Sequence, residues 1–163
     1  MGFDTVDVEA CKQAGIAVGL PPNGVRGPVA VSVLSYILAL SGKLMIKDAL
    51  VRGDHQPLLK IRTHGHRPCW QNVGFNRTGN IGAEIFRLCA PLGMNLIAHD
   101  PYIDPAIAQS VNVGFKTLKQ YFVKVIFDAQ VPLNEETHHL VNAARLALMN
   151  PTAYLINTSR ARC

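Results

Sequence analysis

Apolar residues fall at two different spacings along this chain. Ile81, Ile85, Leu88 and Leu92 recur at helical intervals, which predicts a helix over about Gly79–Leu92, with Gly93 placed to cap its end. Val73–Phe75 before it reads as a short strand, and "MNLIAHDPY" (Met94 to Tyr102) after it as a second strand ending in an acid. A short helix is expected near Thr117–Val123. "VKVIFDA" reads as a further strand, followed by the polar loop "VPLNEET". "NAARLALMN" (Asn142 to Asn150) predicts a helix stopped by Pro151, and "AYLINTSR" a last strand with a polar end. Upstream, "GIAVGLPPNG" (Gly15 to Gly24) reads as a short strand entering a Pro/Gly loop. A long helix is expected from about Pro28 to Val51, with Pro28 suited to a first turn. Residues 53–72 show no clear period. Strands alternating with helices predict an α/β fold with a parallel sheet. In such sheets ligands sit at the carboxyl ends of the strands, where Asp100, Pro132 and Asn157–Arg160 would lie.

Composition narrows the class without naming a function. Of 163 residues, 48% are hydrophobic and 17% charged, which fits a folded globular chain and not a disordered one. The net charge of +5 is not gathered into one run, so it does not argue for a nucleic-acid partner. The apolar stretch Pro28–Gly42 is shorter than the ~18–20 residues of a spanning helix, so no membrane partner is expected. Cys11, Cys69, Cys89 and Cys163 form no C-x-x-C pair, and free thiols in a reducing, cytoplasmic setting are expected. His64, His66 and Cys69 lack a fourth ligand at a usual spacing, so no metal is expected.

The chemistry centres on "VGFNRTGNIGAEIF" (Val73 to Phe86). It approaches the G-x-G-x-x-G turn in which glycines let the backbone turn tightly, meet a pyrophosphate and pack a helix against a strand. Gly79 and Gly82 fill the last two places, and Arg77 stands in the first. A helix N-terminus offers free N–H groups and partial positive charge to phosphate. Asp100 lies 18 residues beyond Gly82, near the spacing at which an acid binds the adenosine ribose. A carboxylate there favours NAD over a 2′-phosphorylated cofactor. The same glycines would also suit an ordinary helix start, and Asp100 an ordinary D-P turn; the spacing of all three favours the cofactor.

Three segments carry a family likeness. "GFDTVDVEACKQAGIAV" resembles the G-x-D-x-V-D…G-I-x-V segment of the D-isomer-specific 2-hydroxyacid dehydrogenases, the group that includes phosphoglycerate dehydrogenase. "GNIGAEIFRLCAPLGMNLIAHDPY" and "PLNEETHHLVNAARLALMNPTAYLINTSR" resemble two further stretches of that family. The resemblance implies a Rossmann-like parallel sheet with flanking helices, incomplete relative to the family. It implies NAD as cofactor and a 2-oxo or 2-hydroxy acid as substrate. Arg160 matches the arginine that grips the substrate carboxylate, a task suited to a planar guanidinium. Gly79, Asn80, Ile81 and Gly82 match the pyrophosphate turn. Val131, Pro132, Thr158 and Ser159 match the walls of the nicotinamide side. Residues 1–26 match the end of a substrate-binding domain, 27–52 a linking helix that also packs across a homodimer, and 73–163 part of an NAD-binding domain, with 53–72 irregular.

The family's proton-transferring histidine and its orienting glutamate follow the matched arginine, and neither is among these 163 residues. By themselves these residues are therefore expected to be inactive. A remnant that associates with intact family members is the alternative. The irregular segment has a possible origin in its codons. Read one base later, codons for His64–Gly79 permit M-G-T-G-L-V-G-R-T-L-G-S-I-G-L-G, which restores glycine at position 77. A shift the other way over Tyr121–Phe127 permits L-R-E-S-D-F. A truncated, frame-shifted copy of a dehydrogenase gene is the expectation.

Overall fold

The computed structural model describes residues 5–20, 24–53, 72–76, 79–103, 113–117, 125–129, 135 and 137–159. Five strands, β1 (Asn72–Asn76), β2 (Asn95–His99), β3 (Gly114–Phe115), β4 (Val125–Ala129) and β5 (Tyr154–Ile156), form one sheet in the order β3-β2-β1-β4-β5. Every pairing is parallel. The chain runs outward from β1 to β3, then returns to start again at β4. The strand order therefore reverses between β1 and β4, where open α/β sheets hold their ligands.

Among the described residues the helices are α1 (Val8–Gln13), α2 (Arg26–Ser41), α3 (Leu44–Arg52), α4 (Asn80–Cys89) and α5 (Ala143–Leu146). The α4 helix follows β1 as its apolar period requires, burying Gly82, Ile85, Phe86 and Cys89. A 3-10 turn, Ala90–Leu92, extends it, and Gly93 closes it at φ 68° in the left-handed region that favours glycine. One core joins Ala30, Val33 and Ile37 of α2, Val73 of β1, Ile85, Phe86 and Cys89 of α4, Leu96 and Ala98 of β2, and Ile156 of β5. Burying a side chain such as Ile85 contributes about 1.5–3 kcal/mol.

The expected 28–51 helix is two helices, bent by 60° at Gly42–Lys43. A Cβ added at Gly42 would stand 2.9 Å from the Leu38 carbonyl oxygen. Lys43 then takes φ 53°, a left-handed turn that ends helical propagation. The expected strand in Gly15–Gly24 is absent from its described part, residues 15–20, which are exposed and carry no strand. A strand needs a partner for its backbone groups; residues 8–13 form α1 instead, capped by Asp7, whose carboxylate accepts from the Ala10 N–H at 2.9 Å. The Asn142–Asn150 helix starts where expected, with the Asn142 side chain accepting from the Arg145 N–H at 3.0 Å, but it ends at Leu146. The last strand is confined to Tyr154–Ile156, because Asn157 turns the chain. The short β3 was not among the expected strands. The expected helix near Thr117–Val123, apart from Thr117, and the segment 54–71 with His64, His66 and Cys69 lie outside the described residues.

Candidate functional site: a cofactor cleft at the carboxyl ends of the strands

Strand register brings the expected cofactor residues to one edge of the sheet. Asn76, the last residue of β1, is level with His99 of β2 on one side and Ala129 of β4 on the other. Asp128 of β4 is level with Ile156 of β5, so Asn157 continues the same line. The chain leaves β1 toward Gly79, β2 toward Asp100 and β5 toward Thr158 and Ser159. Three inter-strand steps, about 14 Å, separate the strand leading to Asp100 from the strand leading to Thr158. That span suits a long ligand laid across the strand ends with its middle over the β1–β4 reversal.

The start of α4 has the properties of a phosphate seat. Gly79 is its N-cap, with φ −57° and no side-chain hydrogen bond capping the helix. No acid stands in the first turn, so the partial positive charge there is not offset within it. Gly79 and Asn80 are exposed, Ile81 is half-buried and Gly82 is buried. A Cβ built on Gly79 meets no heavy atom within 4 Å, so the space above this glycine is open to a ligand. Gly82 sits instead on the face that packs toward the sheet, the third of the glycine roles. Gly79 is thus exposed and unobstructed, whereas Gly82 is buried.

Asp100 follows β2 directly and is half-buried. Its Oδ1 accepts the backbone N–H of Tyr102 at 3.0 Å, an Asx turn that starts the D-P-Y bend. At the other side of the cleft Asn157 Oδ1 accepts from the Ser159 N–H at 3.0 Å and from Ser159 Oγ at 2.9 Å. These bonds fold the polar end of β5 back on itself and hold Thr158 and Ser159 half-buried. An open groove of about 800 Å³ runs beside them, with Val29, Ser32 and Tyr36 of α2 on one wall and Leu155 and Thr158 on the other.

Sequence reasoning missed an ionic link that ties α4 to α2. Glu84 Oε1 accepts from Arg87 at 2.6 and 3.1 Å, and Glu84 Oε2 lies 3.8 Å from Arg26 Nε. The Arg87 hydrogen bond holds the Glu84 carboxyl below its usual range, and Glu84 in turn raises Arg87. Glu84 and Arg87 share a helix face at i,i+3, which sequence spacing shows; the approach of Arg26, 58 positions earlier, has no local signal. Cys89, fully buried behind the same helix, has its thiol pushed up to about 11 by burial. It is an apolar packing group, not a nucleophile. Arg77, Val131, Pro132 and Arg160 lie outside the described residues. Among the described residues no cluster of three His, Cys, Asp or Glu side chains could hold a metal. No single helix among them is long and apolar enough to cross a membrane.

Residues 34–163 match the family model of the D-isomer specific 2-hydroxyacid dehydrogenase NAD-binding domain. The chain belongs to this family. The matched part of a D-isomer specific 2-hydroxyacid dehydrogenase is its NAD-binding domain. Among curated relatives, (S)-sulfolactate dehydrogenase of Chromohalobacter salexigens is 32% identical over 98% of this chain and 52% of its own. D-3-phosphoglycerate dehydrogenase of Methanocaldococcus jannaschii is 29% identical over 98% of this chain and 30% of its own. The crystal structure of D-lactate dehydrogenase from Aquifex aeolicus, complexed with NAD and lactic acid, superposes with a TM-score of 0.83 at 26% identity, covering 99% of this chain and 48% of that one. The chain spans at most about half the length of these dehydrogenases.

Proposed function

We propose that this chain is the cofactor-holding part of an NAD-dependent oxidoreductase that interconverts a D-2-hydroxy acid and a 2-oxo acid. The observation that carries this reading is the uncapped, acid-free start of α4 beside Asp100, on strand ends that register sets level. Gly79–Gly82 seat the pyrophosphate on the N–H groups of the first turn. Asp100, turned at the end of β2 by its bond to the Tyr102 N–H, meets the ribose hydroxyls, where a 2′-phosphate would be repelled by its charge. Val131, Pro132, Thr158 and Ser159 flank the nicotinamide. Arg160, two residues past the Thr158 wall, grips the substrate carboxylate in a bidentate fork and polarises the carbonyl. Bound NAD supplies the hydride acceptor; these residues bind, orient and discriminate.

The domain reading that goes with this is an end of a substrate domain in 1–26, a linker in 27–52, an irregular segment in 53–72 and the cofactor domain in 73–163. Free Cys11 and Cys89 accord with a cytoplasmic setting. A second reading, association with another copy or with intact family members, is favoured by the apolar side chains that α2 and α3 leave exposed: Val31 at 54%, Tyr36 at 50%, Met45 at 72% and Val51 at 87%. Calorimetric titration with NADH, followed by an absorbance assay with a 2-oxo acid, tests the first reading. Binding at micromolar strength supports it. Silence at millimolar NADH leaves only association, which sedimentation would reveal as a dimer.

A further inference from the structure

The end of β2 is tied to its edge strand by a side chain. The β2–β3 ladder has only two paired positions, Ile97 with Gly114 and Ala98 with Phe115. The Lys116 N–H continues it by donating to the Ala98 carbonyl at 2.9 Å. In a parallel ladder the next acceptor is the Lys116 carbonyl and the next donor two residues beyond Ala98, at Asp100. His99 meets that acceptor from its ring: Nδ1 lies 3.1 Å from the Lys116 carbonyl oxygen. A backbone carbonyl only accepts, so Nδ1 carries the proton in this bond. Both backbone groups of Lys116 are thus held by consecutive residues of β2, immediately before Asp100.

We propose that His99 is a positioning residue for NAD: its Nδ1–H fixes the end of β2 against the segment after β3 and so holds Asp100 where the ribose binds. The inference rests on the cofactor reading given above. The side-chain bond extends the sheet by one rung and lets the backbone turn at Asp100 into the D-P bend. Without the donor, a two-residue edge strand loses one of its ties to β2, and part of the order that the free protein now supplies must be imposed by the ligand.

The test compares the wild type with His99→Phe, which keeps a ring and removes the donor, and with His99→Asn, whose amide N–H stands near the place of Nδ1–H. NADH and its two halves, ADP-ribose and reduced nicotinamide mononucleotide, are titrated calorimetrically into the full chain. The Phe variant should weaken NADH and ADP-ribose roughly fivefold, the scale of one hydrogen bond. It should leave the mononucleotide unchanged, and the Asn variant should stay within about twofold of wild type. Loss of only the adenosine half is a signature that general misfolding would not give. Equal affinity in the Phe variant, or equal losses in Phe and Asn, overturns the inference while the cofactor reading stands. A wild-type chain that ignores NADH overturns both.

Discussion

Gly79→Ala separates the fold from the cofactor more cleanly than any other change in the cleft. The backbone at Gly79 has φ −57°, which alanine adopts without strain, and the new methyl meets nothing within 4 Å. Restricting the unfolded chain stabilises such a site by about 0.4–1 kcal/mol. Alanine is a poorer N-cap than glycine by a comparable amount, so folding stability should change by less than about 0.5 kcal/mol. The melting temperature should then move by under about 2 °C for a chain of this size. The ligand meets the opposite situation. If the pyrophosphate lies against Gly79, the methyl occupies its contact surface. Overpacking of this kind costs about 1–3 kcal/mol, which is roughly a five- to 150-fold rise in Kd for NADH. Calorimetric titration beside a thermal melt reads both quantities on one preparation. Unchanged NADH affinity with an unchanged melt would refute the placement of the pyrophosphate. A melt lowered by more than about 4 °C would refute the open geometry at Gly79.

Three further outcomes follow from the same geometry. Asp100→Asn keeps the acceptor for the Tyr102 N–H but removes the charge; NADH should weaken by about tenfold or more while NADPH gains, and equal losses for both cofactors would count against a ribose role. Ile85→Ala, at a fully buried position between α4 and α2, should cost about 2–5 kcal/mol in urea unfolding; a cost below about 1 kcal/mol would mean that α4 is not seated on this core. Cys89, with its thiol pushed up to about 11 in the folded state, contributes stability that is fully present below the unfolded thiol's value near 8.5 and is lost as pH rises toward 11, about 3 kcal/mol in all. Cys89→Ala should therefore flatten the fall in urea midpoint between pH 8 and pH 10.5, and an unchanged slope would show that this thiol is not held neutral by burial.

What the sequence made legible divides along physical lines. The β1–α4–β2 unit could be read because each part has a local cause: a helical apolar period in α4, Gly93 at its left-handed end, and an apolar run closing on Asp100. The break between α2 and α3 was hidden because apolar residues occur all round this stretch, so no period interrupts at Gly42. The cause lies in the left-handed Lys43. Ile16–Val18 has the apolar character of a strand but pairs with no strand among the described residues, and pairing decides. The two residues of β3 are too few to form any pattern. Of the cleft, Gly79, Gly82 and Asp100 were visible as residue types at a spacing. The Arg26–Glu84 link and the tie from His99 to Lys116 join positions far apart in sequence, and only the folded sheet brings them together.

Amide chemical-shift mapping with NADH tests the central claim most directly, because it reports where the ligand lies as well as whether it binds. A cofactor laid across the carboxyl ends of the strands should shift the amides of Asn80–Gly82, of Asp100 and Tyr102, and of Asn157–Ser159 together, and leave Asn72 and Asn95 at the amino ends unmoved. Shifts confined to α1, α3 or the amino ends of the strands, or no shifts at millimolar NADH, would contradict the account.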